Sequence, residues 1–319
     1  MKTLSICIPS LNRKNYLFQA LRSILECTQH MDRLEICVSN NYSDEDYTNI
    51  ENYLRSYPCA KYVRQLRRVS LDENMHSCVT AAIGTYVYYL GDDDYFLPGG
   101  LNEIFDIIDR DHPDLVIMNG LRVDAEGLPL GRAFSSESKI FRDFPTAFAY
   151  YNAKCGFGSV LVKREYLTDT LFRKFYGTSH AYACFWAALV VLHESHQDYH
   201  LVALTPQNPI VALRQGKKTY SDYALDVHYD HIPRWYKTFL GFIEDIDFKR
   251  TICTSIDQRK VYNTSLRFLA GLKLTGTSIS KIRKYPAYCR CFSGDANLIL
   301  IEITPTRILR IIKKIKNAL

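Results

Sequence analysis

The sequence predicts an α/β fold with a mostly parallel central sheet, followed by a helical C-terminal region. Three observations carry this. From Leu4 to Met118, short apolar runs alternate with segments whose apolar residues recur at helical spacing, the pattern of strands joined by crossover helices. One run, Tyr86 to Leu90, stops abruptly at Gly91 and the carboxylates Asp92, Asp93 and Asp94. After about Tyr220 no clear strand pattern remains, which divides the chain into 1–220 and 221–319.

Leu4 to Ile8 reads as a first buried strand, ended by Pro9-Ser10-Leu11-Asn12-Arg13. Tyr16, Leu17, Ala20, Leu21, Ile24 and Leu25 then follow at helical steps. Leu34 to Val38 is a second strand running into the polar turn Ser39 to Asp44, and a short helix presents Ile50, Tyr53 and Leu54. Lys61 to Gln65 is a third strand. Asp72 to Ile83 is a helix with Asp72 as its expected N-cap.

Tyr86 to Leu90 is β-branched and aromatic, as suits a buried strand. Leu101 to Ile108 reads as helix and Leu115 to Met118 as strand. Beyond Asn119 the alternation weakens. A hairpin is expected over Gly120 to Phe134, a helix over Phe144 to Tyr151, a strand over Gly158 to Val162 and a helix over His180 to His193. Leu201 to Leu204 and Ile210 to Leu213 are short strands, and helices follow, the last over Pro305 to Leu319.

The net charge of +6, from 40 basic and 34 acidic residues, is too mild to imply a nucleic-acid partner. The ten cysteines lack framework spacing and two sit inside apolar runs, which predicts a reducing, cytoplasmic setting. The N-terminal apolar run stops at Pro9, unlike a signal peptide. The most apolar helix, Ala181 to Leu192, is shorter than the ~20 residues that span a bilayer.

Strand ends in an open parallel sheet are where ligands bind. Here Pro9 to Arg13, Ser39 to Asp44 and Gly91 to Asp94 share one rim. Adjacent anions repel, so such a triplet sits best in water or beside a cation. Hard divalent ions take oxygen ligands and share them with phosphates. A solvated acidic turn is the other reading of these residues.

Taken together, the motifs resemble those of family 2 glycosyltransferases, which have the Rossmann-like GT-A fold. Ile8-Pro9-Ser10-Leu11-Asn12-Arg13 is similar to the family's I-P-T-Y-N-R opening, and Val38 to Asp44 to its V-S-D-N-S-S-x-D turn. Ala81 to Tyr86 is similar to its A-x-x-A-x-G-x-Y segment, and Leu90 to Asp94 to its L-G-D-D-D site. The resemblance implies transfer of a sugar from a nucleoside-diphosphate donor to an acceptor hydroxyl, with inversion. It implies that Pro9 and Leu11 flank the base, Asn40 reads its edge and Asp92 lies near the ribose. Asp93, assisted by Asp94, would hold Mn2+ or Mg2+ against the diphosphate. It further implies a bacterial surface-polysaccharide context, with an oligosaccharide acceptor on a polyprenyl carrier at the inner face of the membrane.

Asn40 stands where the family usually has Asp. An amide both donates and accepts, so uracil, thymine and cytosine all remain open; a UDP- or CDP-sugar is the donor expected from the resemblance. The family's catalytic carboxylate, usually within Glu-Asp, is absent from Gly177 to Tyr182. His180 is the candidate base there, with Asp169, Glu194 and Asp198 in reserve; a structural histidine is the competing reading. Arg214 and Lys217 resemble a segment that covers the diphosphate. A member without turnover that binds a glycan or a partner, and a nucleotidyltransferase, are the alternative functions. The second lacks its Gly-rich loop after the first strand.

In Pro305 to Leu319, Ile308, Ile311, Ile312, Ile315 and Leu319 share one helical face, flanked by Arg307, Arg310, Lys313, Lys314 and Lys316. Such a helix can lie on an anionic membrane surface. Packing of the isoleucines on the helical region or on a second subunit is the alternative.

Overall fold

The computed structural model describes residues 2–26, 29–133, 138–196, 199–215, 224–258, 266–274 and 296–318. A central sheet holds β1 (Leu4–Ser10), β2 (Leu34–Asn40), β3 (Ala60–Arg64), β4 (Tyr86–Tyr89), β6 (Leu115–Ile117), β9 (Lys139–Phe141), β10 (Val160–Lys163) and β11 (Ala203–Thr205). Their order is β3-β2-β1-β4-β10-β6-β11-β9. The first four are parallel, in the register Ile8 to Val38 and Cys7 to Tyr89. β10 enters antiparallel between β4 and β6, and β9 closes the far edge antiparallel to β11.

Alternation along each strand divides the core in two, because successive side chains point to opposite faces. Leu4, Ile6, Ile8, Ile36, Tyr88 and Leu161 face α1 (Lys14–Leu25), α2 (Thr48–Arg55) and α4 (Gly100–Asp111). Cys7, Cys37, Val87, Tyr89 and Val160 face α3 (Leu71–Ala81), α5 (Phe144–Tyr151) and α7 (Phe185–Ser195). The result is a three-layer α/β/α body with its parallel strand ends along one rim.

α3 starts one residue earlier than expected, and its cap is different. Ser70 is the N-cap, and Ser70 and Glu73 form a reciprocal capping box. Asp72 is left free to reach elsewhere. The helix expected from His180 is a 3-10 turn, Ala181–Cys184, leading into α7. α6 (Asp169–Lys174) was not expected.

A second sheet, of order β5-β12-β7-β8, joins β5 (Tyr95–Phe96), β12 (Val211–Arg214), β7 (Gly120–Val123) and β8 (Pro129–Arg132). The hairpin and the last strand had been legible separately; their union through the two residues of β5 had not. β5 directly follows the acidic triplet, so this sheet anchors that turn from behind.

The expected boundary near Tyr220 lies outside the described residues. Beyond it, Val227–His231 is a π-helical turn leading into helix Ile232–Leu240. Helices Ile246–Gln258, Leu266–Leu274, Ala296–Ile303 and Thr306–Ala318 follow. Leu225, Tyr229, Leu269, Leu272, Ile301 and Leu309 form a small core of their own.

Candidate active site

The end of β1 and the acidic turn are bound together. Ser10 Oγ donates to Asp92 Oδ2 at 2.8 Å and lies 2.9 Å from the hydroxyl of Tyr47. That hydroxyl also accepts from the Arg13 backbone N–H at 3.0 Å. The Arg13 guanidinium donates through Nη1 to Asp93 Oδ2 at 2.8 Å and to Asp92 Oδ1 at 3.3 Å. The cation that the triplet requires is therefore supplied from the opening motif itself. Tyr47 carried no recognisable signal in the sequence.

The three carboxylates are unequal. Asp93 is partly exposed at the rim, whereas Asp92 and Asp94 are buried. Burial pushes the Asp92 carboxyl up to about 6, against the pull of Arg13 and with the repulsion of Asp93 added. Burial and the Asp93 charge push Asp94 up to about 8. Asp94 Oδ1 accepts from the Arg214 backbone N–H at 2.9 Å. Its other oxygen lies where a Cβ on Gly91 or Gly158 would come within 2.7 Å, and Gly158 has φ +73°. At Gly91 the Asp94 carboxylate leaves no room for a Cβ; at Gly158 Leu213 Cδ2, 2.5 Å from that position, and the positive φ add to the same demand.

The remaining candidates fall into two groups. Leu11 is exposed on the rim while Pro9 is buried within β1. Asn12, at φ +53°, exchanges hydrogen bonds with Asp44 and donates its N–H to Ser43 Oγ, tying the first two strand ends together. Asn40 is 0% exposed. Its Nδ2 donates to the Tyr62 hydroxyl at 2.7 Å and its Oδ1 accepts from Ser43 N–H at 2.9 Å. Both ends of the amide brace the turn, with one of the two Nδ2 hydrogens given to Tyr62. Arg214 also points inward: its guanidinium holds the Asp93 carbonyl at 3.0 Å, the Ala125 carbonyl and Gln19, between the rings of Tyr16 and Tyr95. In this arrangement it braces the acidic turn. Lys217 lies outside the described residues.

His180 sits at the start of the 3-10 turn, half-buried. Its Nδ1 is 3.0 Å from the Thr178 carbonyl oxygen. A carbonyl only accepts, so Nδ1 carries the proton and Nε2 keeps the lone pair. Burial lowers the imidazole pKa below its ordinary value, with the Thr178 carbonyl and Asp72 pulling it back up. Burial therefore favours the uncharged imidazole. Of the reserve carboxylates, Asp169 pairs with His76 and Arg173, and Glu194 accepts the N–H groups of Glu244 and Asp245. Asp198 lies outside the described residues.

An all-oxygen set suits Mg2+ or Mn2+, and Asp93 already holds a cationic group. Among the described residues no three His, Cys, Asp or Glu side chains form a ready cage. A metal on Asp93 would therefore complete its shell from substrate phosphate, as Mg2+ commonly does.

A three-layer α/β/α body with an acidic, arginine-bridged turn at its rim is the architecture of a GT-A-type transferase. The chain belongs to glycosyl transferase family 2, whose profile matches residues 5–185, and it is a glycosyltransferase. Over its whole length it is 25% identical to a Campylobacter jejuni GalNAc(5)-diNAcBac-PP-undecaprenol beta-1,3-glucosyltransferase, covering 100% of this chain and 99% of that one. Over 94 residues, 28% of each protein, it is 33% identical to an abequosyltransferase of Salmonella typhimurium. In fold it is similar to S. aureus TarS 1-349 solved with UDP, at a TM-score of 0.61 and 13% identity, covering 95% of this chain and 90% of that one.

Proposed function

We propose that this enzyme moves a sugar from a UDP- or CDP-sugar to a hydroxyl of a polyprenyl-linked oligosaccharide, in the assembly of a bacterial surface glycan such as an O-antigen or capsule unit. The relation to the Campylobacter enzyme, whose name specifies an undecaprenol-linked acceptor, supports the acceptor class. The complexes of TarS with UDP and with UDP-GlcNAc favour UDP as the nucleotide.

The observation that carries the reading is the single Arg13 nitrogen bridging Asp92 and Asp93 where three strand ends meet. Leu11 offers an apolar surface to the base, and Asp92, fixed by Ser10, faces the ribose. Asp93, backed by Asp94, would hold Mn2+ or Mg2+, which neutralises charge on the departing nucleoside diphosphate. Arg13, released from Asp93, is placed to take a phosphate oxygen. His180 Nε2 takes the proton of the acceptor hydroxyl. One in-line displacement then inverts the anomeric carbon.

A thermal-shift series with UDP, CDP, GDP and dTDP plus Mn2+ tests the donor, because a ligand of the native state raises the melting temperature. UDP or CDP should give the largest shift. Donor turnover should vanish in Asp93→Asn with the fold intact. Full turnover in EDTA, with the variant equally active, would reject the metal assignment.

Helix Thr306–Ala318 supports membrane docking. Leu309 seats it on the C-terminal core, while Ile311 and Ile312 each stand 56% exposed beside Arg307 and Arg310. Ile303, at the end of the preceding helix, is 71% exposed. The side chains of Ile315 and Lys313 lie outside those described. No helix among the described residues is long and apolar enough to cross a membrane. Docking would place the active site at the cytoplasmic face, beside a polyprenyl-linked acceptor.

A further inference from the structure

Asp72 is almost wholly buried in the first turn of α3, yet it does not cap that helix. Its carboxylate crosses to the turn that carries His180. Oδ2 accepts from Thr178 N–H at 3.1 Å and Ser179 N–H at 3.0 Å, and Oδ1 accepts from Ala181 N–H at 3.0 Å. Three backbone donors on one carboxylate form an anion nest. The nest holds an unfavourable backbone: Ser179 has φ +56° and Gly177 φ +78°. Non-glycine residues keep such a conformation only where their surroundings fix it. His180 lies between the second and third of these N–H donors, and its own N–H goes to Thr178 Oγ1 at 3.2 Å.

Ser70 already satisfies the start of α3, so nothing in the helix needs a carboxylate at this position. A buried anion is a costly way to hold a loop; an amide, with one accepting oxygen, could keep only part of this set. A carboxylate adds two things here, a second accepting oxygen for the Ala181 N–H and a negative charge. The described titratable groups facing the imidazole are Asp72 from α3, His231 from the π-helical turn and the Tyr182 ring at 5.9 Å. Asp72 is the one carboxylate among them; burial raises its pKa, and the three N–H donors and His180 pull it back toward the charged form. His231 reaches the turn through Ser179 Oγ, 2.9 Å from its Nδ1.

We propose that Asp72 is a positioning residue for His180, fixing the turn that presents Nε2 and supplying the negative charge that stabilises the imidazolium formed during transfer. This rests on the reading of His180 as the base. In the step, the acceptor O–H proton passes to Nε2 and its oxygen bonds to the anomeric carbon. The bond from that carbon to the donor phosphate oxygen breaks, and its electron pair leaves with the nucleoside diphosphate. Positive charge therefore appears on the imidazole as the reaction proceeds, and Asp72 is the fixed counter-charge.

The test uses the full chain and compares Asp72→Asn, His180→Ala and the double variant. Asp72→Asn should lower kcat about 10- to 100-fold, the size seen when a partner that orients a metal-bound histidine is lost, with the donor KM unchanged. Without the anion the imidazolium is less favoured, so the acid limb of the kcat/KM profile should move to lower pH. In the His180→Ala background the same substitution should cost nothing further, the signature of a residue acting through another. An equal loss in that background, or an unmoved limb, overturns the proposal and leaves the base assignment standing. A near-normal rate in His180→Ala alone removes the base assignment itself. If circular dichroism shows Asp72→Asn unfolded, Asp72→Glu takes its place. Charge kept on a longer arm should lower kcat with the limb at its wild-type pH, and a shifted limb overturns the proposal.

Discussion

Arg13 Nη1 lies 2.8 Å from a carboxylate oxygen of Asp93 and 3.3 Å from one of Asp92, so one guanidinium nitrogen serves two neighbouring acids. Arg13→Gln leaves the buried Asp92 without its cation. An acid whose folded pKa is raised binds more protons folded than unfolded, and its stability contribution is lost as pH rises through the folded value. Asp92 titrates at about 6 with Arg13 present. The melting temperature of Arg13→Gln should therefore fall below wild type by several degrees at pH 8 and match it near pH 4, as scanning calorimetry at low salt would show. An equal deficit at both pH values contradicts this account.

The same sign applies more strongly to Asp94, raised by burial to about 8. Its contribution to stability is full below the unfolded carboxylate range, near 4, and declines as pH rises to about 8. In EDTA, Asp94→Asn should melt above wild type at pH 8 and equal to it at pH 4. A variant less stable than wild type throughout would show that the Arg214 N–H bond outweighs the burial of charge.

His180→Ala should cost roughly 10²- to 10⁴-fold in transfer rate, the usual size of a general-base contribution, with nucleotide affinity unchanged by calorimetry. The product from wild-type enzyme should carry the anomeric configuration opposite to the donor, read by NMR coupling constants. Retention would exclude the single displacement.

Ile311→Ser combined with Ile312→Ser alters two exposed side chains and should leave the melting temperature within about a degree of wild type, since exposed positions rarely contribute much. Co-sedimentation with vesicles containing anionic lipid should drop sharply in this variant, and wild-type binding should weaken with salt. Equal recovery of both proteins in the supernatant rules out docking through this face.

Much of this was legible in the sequence, and what was not shares a cause. Leu4 to Ile8, Leu34 to Val38 and Tyr86 to Leu90 declare buried strands through unbroken apolar runs, and the rim motifs lie at their ends. The Asp92–Asp93 pair and Arg13 were both visible as candidates; their contact was not, because it joins residues about 80 positions apart. The second sheet escaped because β5 contributes only Tyr95 and Phe96, too few residues for periodicity to register. Ser70-Leu71-Asp72-Glu73 did carry a capping-box signal, S-x-x-E; reading it would have placed the cap at Ser70 and left Asp72 unexplained. Asn40 and Arg214 are polar residues at strand ends. Whether such side chains turn to solvent or brace the backbone is decided by neighbours such as Tyr62 and Asp93, not by the local pattern.

The antiparallel insertion of β10 has a consequence for the newborn chain. β4 and β6 are complete by Ile117, but the strand that fills the gap between them ends at Lys163. At synthesis rates of about 5–20 residues per second, that interval lasts roughly 2–10 s. During it, Tyr86–Tyr89 and Leu115–Ile117 present unpaired, apolar edges, the kind of surface on which chains join to one another. Those edges find their native partner only when Val160–Lys163 emerges. A chain truncated before that point would keep both edges without the strand that joins them.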